Sequence, residues 1–113
     1  MSKKTSEIKF TVTLDENNLP EKITWEASDA NAQSDCKAIM VSIWDAKENN
    51  TLRVDLHTKD FYVEEMKKFF HQSIHLMGDT FKQATGETKI IEDLRDYCDH
   101  FAEKMGIAEF KKD

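Results

Sequence analysis

The hydrophobic period changes once along this chain, near residue 60, and that switch restricts the fold more than any other feature. Before it, apolar residues recur at every second position; after it, they recur every three to four. The first pattern belongs to strands with one buried face and the second to amphipathic helices. Runs of strands followed by runs of helices indicate an α+β chain, since a parallel α/β sheet would alternate the two.

In EIKFTVTLDE, Ile8, Phe10, Val12 and Leu14 alternate with Lys9, Thr11 and Thr13. ENNLPE breaks the pattern, because Asn17-Asn18 accepts turn geometry and Pro20 has no N–H for a ladder. EKITWEAS resumes it with Ile23, Trp25 and Ala27, and DANAQSD is polar and reads as a loop. CKAIMVSIWDA is apolar on both sides, with Ile39, Val41 and Ile43 on one and Ala38, Met40 and Trp44 on the other. KENN makes a turn into TLRVDLHT, where Leu52, Val54 and Leu56 face in and Arg53, Asp55 and His57 face out. Short connections of this kind imply antiparallel pairing.

Asp60 is placed to cap a helix whose first turns carry Glu64 and Glu65 at the positive dipole end. Gly86 can stop that helix, and a second runs from about Thr88 to Gly106 with Ile90, Ile91, Leu94, Tyr97, Cys98, Phe101 and Met105 inward. The expectation is one domain over 1–113, long enough to bury roughly two thirds of its unfolded surface. It comprises a four-stranded antiparallel sheet (strands within about 7–58), then helices at about 61–85 and 88–105 packed on one face. A frayed tail follows over 106–113.

With a net charge of −6, and basic pairs only at Lys3-Lys4 and Lys111-Lys112, the chain lacks the clustered Lys and Arg that nucleic-acid binding needs. No apolar run approaches the roughly 18 residues of a membrane span, and no apolar h-region follows the basic start. Cys36 and Cys98 are far apart and form no C-x-x-C. A cytoplasmic protein with two reduced thiols is the expectation.

FFHQSIHLMGDTF raises the question of a metal site, because His71, His75 and Asp79 follow one another at helical i, i+4 spacing. Taking Phe70 as zero and about 100° per residue, Val63, Met66, Ile74, Met77, Phe81 and Ala84 fall within roughly 40° of it. His71, His75 and Asp79 then lie near +100°, +140° and about 180°, on the side expected to face solvent. A structural zinc site needs four ligands, and the H-E-x-x-H pattern of metalloproteases is absent. A solvated helix back is the expected reading.

Asp93, Asp96, Asp99, His100 and Glu103 make a polar side on the second helix, expected to be a solvated acidic face. His57 reads as a cross-strand polar neighbour, and Cys98 as a small hydrophobe on the core stripe. No nucleophile elbow, phosphate-binding glycine loop or acyl-transfer constellation occurs, so no catalytic, metal or cofactor residue is assigned and no enzyme is expected. The sheet carries the sharper anomaly. With Ile39, Val41 and Ile43 facing the helices, Ala38, Met40 and Trp44 face away, beside Thr11, Thr13, Thr24, Glu26, Arg53 and Asp55. Apolar side chains on such a polar face point to a partner or self-association surface, although single exposed apolar residues are also normal.

SEIKFTVTLDENNLPEKITWEASD, KAIMVSIWDAKENNTLRVDLHTKDFYVEEMKKFFHQ, DTFKQATGE and DLRDYCDHFAEKMG together resemble the gliding-motility protein GldC family of Bacteroidota, over roughly residues 5 to 106. The resemblance implies a cytoplasmic accessory protein of gliding motility without enzymatic activity, and it transfers no site residues. The expected function is thus a non-enzymatic accessory or adaptor acting through protein partners, including a second copy of itself. The alternatives are a SecB-like export chaperone, by analogy of fold, and a small metal-binding protein using His71 and His75.

Overall fold

The computed structural model describes residues 3–108. The chain divides into two compact units, Met1–Phe61 and Tyr62–Asp113.

The first unit holds five strands: β1 (Ile8–Leu14), β2 (Pro20–Ala27), β3 (Ala32–Cys36), β4 (Ala38–Asp45) and β5 (Asn50–His57). They form two antiparallel sheets, β1-β2-β3 and β4-β5. The α+β class and the antiparallel pairing agree with the sequence pattern, but the single four-stranded sheet does not. The segment DANAQSD is no loop, because Asn31 turns the chain at φ 49° and returns it along the free edge of β2. β3 then sets small residues, Ala32, Ser34 and Cys36, opposite Ala27, Trp25 and Ile23. A strand without large apolar residues leaves no period-two signal, which is why it reads as a loop.

Each of the three hairpins turns on an asparagine in the left-handed region: Asn18 (φ 62°), Asn31 (φ 49°) and Asn49 (φ 53°). All three glycines lie beyond residue 77, and asparagine is the side-chain-bearing residue that tolerates this region best. Carboxylates fix two of the turns. Asp15 accepts N–H bonds from Asn17 (2.8 Å) and Leu19 (3.0 Å), and Asp45 accepts one from Glu48 (2.7 Å).

As the central strand of its sheet, β2 holds Ile23 between Val12 and Cys36, and Ile23 is fully buried. In the other sheet Ile39 sits opposite Leu56 and is buried as well. Lys59, just past β5, reaches back to the first turn and ion-pairs with Asp15 at 2.5 Å.

The second unit is a helical hairpin of α1 (Val63–Thr85) and α2 (Lys89–Met105). Gly86 (φ 76°) ends α1, its N–H donating to the Lys82 carbonyl, and Gly106 (φ 66°) ends α2. Asp60 is not the N-cap. That position is Tyr62, which supplies no side-chain cap, while Asp60 accepts a hydrogen bond from the Thr58 hydroxyl at 2.6 Å. Glu64 and Glu65 in the first turn remain to face the helix dipole. Within the expected tail, the Ile107 N–H still bonds the Ala102 carbonyl. Residues 109–113, including Lys111-Lys112, lie outside the described residues.

The Asp15–Lys59 pair gives the first unit an acid-sensitive element. The Lys59 ammonium, with the Leu19 and Asn17 amides, lowers the Asp15 carboxyl from 3.8 to about 2. A depressed folded-state value contributes stability above the unfolded value, and that contribution is lost as pH falls through the folded one. Asp15→Asn is therefore expected to lower the urea midpoint at neutral pH. The gap to wild type should close as pH falls from about 4 to about 2. A gap that stays constant over this window would contradict the assignment.

Candidate interaction surfaces

The two helices meet where α1 carries no side chain. A Cβ built on Gly78 would lie 2.9 Å from Leu94 Cδ2 and 3.9 Å from Ile91, so α2 approaches the backbone of α1 at this point. The side of α1 that faces α2 is consequently the one with Gly78, His71 and Asp79. His71 is 2% exposed, with its ring stacked on Phe101 at a centroid distance of 6.1 Å. Its Nε2 has no hydrogen-bond partner among the described residues. Asp79 accepts a hydrogen bond from Arg95 at 2.7 Å, closing the hairpin with an ion pair.

This reverses the helical phase expected from hydrophobicity. His71, His75 and Asp79 do not climb into solvent, since His71 is buried and His75 is half-buried. The stripe Val63, Phe70, Met77 and Phe81, expected to be the core, is 69%, 43%, 62% and 48% exposed. A helical wheel assigns the core to the most apolar sector, whereas here a glycine 80° away decides where the neighbouring helix packs. Among the described residues, no group of three or more His, Cys, Asp or Glu side chains is placed to hold a metal ion.

Two residues of this stripe share a groove with α2. Met77, Phe81, Ile90, Leu94 and Tyr97 line an open groove of about 520 Å³, with Asp93 as its charged member. On the rest of α2, Cys98 and Ala102 are buried, whereas Asp96, Asp99 and His100 are exposed as expected. Burial, with the nearby Asp99 carboxylate, pushes the Cys98 thiol up, so it stays protonated and packs as a hydrophobe.

On β4, Trp44 is 66% exposed, while Ala38 and Met40 are half-buried. Their cross-strand partners on β5 are Thr51, His57 and Asp55 respectively. Arg53 and Asp55 pair with each other at 2.6 Å. The other expected neighbours belong elsewhere: Thr11 pairs with Thr24 and Lys9 with Glu26 in the separate three-stranded sheet, with Thr13 beside them. That correction follows from the division into two sheets. On the opposite face of the same hairpin, Ile43 stands opposite Leu52 and Val41 opposite Val54, with Ile43, Leu52 and Val54 each about half exposed.

A second hollow, of about 320 Å³, lies among Glu21, Lys22, Asp35, Cys36, Lys37 and Asp60. Burial and the Asp35 carboxylate push the Cys36 thiol up, away from the thiolate a nucleophile needs. His57 bonds its own neighbourhood, Nδ1 to the Thr58 carbonyl at 3.1 Å. Chemically, the surfaces offer apolar contact far more than reactivity.

Residues 20–107 match the family model described as gliding motility-associated protein GldC-like, which covers most of the chain. The chain belongs to this GldC-like family. No curated protein and no solved structure matches it.

The helical interface is open to direct measurement. Gly78→Leu forces a side chain into the Leu94 contact and should cost about 1–3 kcal/mol in denaturant unfolding, as overpacking does. His71→Phe keeps the stacking on Phe101 and removes a buried unpaired nitrogen. Its stability should equal or exceed wild type by about 1 kcal/mol; a loss of similar size would show that the imidazole nitrogen is needed.

Proposed function

We propose that this GldC-like chain is a non-enzymatic accessory factor of gliding motility that binds protein partners through the β4 surface of Ala38, Met40 and Trp44. Family membership supports the process, and one observation carries the surface: an indole two-thirds exposed on a regular strand. Burying apolar surface is worth roughly 25 cal/mol per Å², and aromatic side chains dominate the energetics of protein contacts. A cytoplasmic setting is part of the same proposal. Its supports are the two free cysteines and the lack, among the described residues, of a helix long and apolar enough to cross a membrane.

A second reading, chaperone-like holding of extended polypeptide, is favoured by the groove of Met77, Phe81, Ile90, Leu94 and Tyr97. Its apolar lining suits side chains of an unfolded segment, and methionine adapts to varied shapes. The two readings separate by site, since one uses strand β4 and the other the helical hairpin.

Trp44→Thr at the chromosomal locus tests the first. An exposed substitution should change stability by no more than about 0.5 kcal/mol, whereas colony spreading should fall toward that of a deletion strain. Wild-type spreading with a normally folded variant would move the function off this surface. If Phe81→Glu alone abolished spreading, the groove reading would take its place.

A further inference from the structure

Strand β4 is one edge of a sheet of only two strands, and a two-stranded sheet is marginal by itself. Two bonds fix which backbone groups its edge presents. The Thr58 N–H donates to the Lys37 carbonyl at 2.8 Å, and the Asn49 N–H to the Asp45 carbonyl at 2.9 Å. Backbone groups alternate in direction along a strand, so the odd-numbered residues turn toward β5. The N–H and C=O groups of Met40, Ser42 and Trp44 and the C=O of Ala38 then face away, where no strand among the described residues pairs with them; the Ala38 N–H bonds the Cys36 sulfur.

The other strands carry features that discourage edge pairing. β1 has Lys9 and a register shift at Thr13/Leu14, β3 is five residues long with Asp35, and β5 bears Arg53 and Asp55. Ala38–Asp45 has no Lys, Pro or Gly, and its register with β5 runs without a bulge. Such an edge is a template for another strand.

We propose that β4 pairs antiparallel with β4 of a second copy across a twofold axis at Val41, joining two hairpins into a four-stranded sheet, β5-β4-β4-β5. The argument is self-complementarity. In this register Lys37 stands opposite Asp45 of the second copy, Ala38 opposite Trp44, Ile39 opposite Ile43, and Met40 opposite Ser42. Small faces large and apolar faces apolar, and at each end Asp45 meets Lys37, an exposed ammonium that also lies 3.9 Å from Asp60 of its own chain. The outward groups of Ala38, Met40, Ser42 and Trp44 face one another, allowing about six backbone hydrogen bonds with the Ala38 N–H left on Cys36. This goes beyond the proposed function, which requires no second copy.

Sedimentation equilibrium of the full chain tests the pairing. The wild type should show twice the 13.2 kDa chain mass at micromolar concentration. Ser42→Pro removes an outward N–H and leaves the bonds to β5, so it should give a folded monomer. In hydrogen exchange, the amides of Met40, Ser42 and Trp44 should gain protection as concentration rises. A monomeric wild type overturns the proposal. So does a dimer that survives Ser42→Pro, which would place the interface elsewhere. Trp44→Thr in a dimer that persists separates the two claims, since spreading reports the partner surface and mass reports the strand pairing.

Discussion

The contact of Gly78 with Leu94 decides how the helical unit is built. Two helices come closest where one lacks a side chain, and here that position lies on the polar flank of α1. His71 is then drawn under Phe101, Asp79 meets Arg95, and Met77 and Phe81 line an open groove with Ile90 and Tyr97 of α2.

What the sequence shows depends on the scale of the signal. The change of period near residue 60, both helices and their glycine stops are readable because each rests on many residues or on a backbone demand. β3 is not readable, since Ala32, Ser34 and Cys36 pack as small side chains on a strand that contributes pairing more than burial. The cap at Asp60 fails for a local reason, because Thr58 offers that carboxylate a nearer hydroxyl. His71 fails for a tertiary one: a wheel drawn for one helix contains no term for its neighbour. Trp44 and Met40 were visible as apolar residues on an outward strand face, but the separation into two sheets changes what stands beside them.

Two thiols and two carboxylates are held protonated or engaged, while several large apolar side chains are exposed. The thiols of Cys36 and Cys98 are held up by burial, and the Asp79 and Asp15 carboxylates are committed to cations. Trp44, Met77 and Tyr97 are more than half exposed.

The strand order carries a kinetic consequence. β1 joins β2, β2 joins β3 and β4 joins β5, and α1 folds back on α2; each pairing links elements adjacent in the chain. Low contact order of this kind favours rapid folding, because little loop entropy is lost before contacts form. Every hairpin can close soon after its second strand leaves the ribosome, without waiting for the C-terminus. The Asp15–Lys59 bridge is the conspicuous exception, spanning 44 residues. It closes the longest loop of these contacts and can form only once the chain has been made past β5.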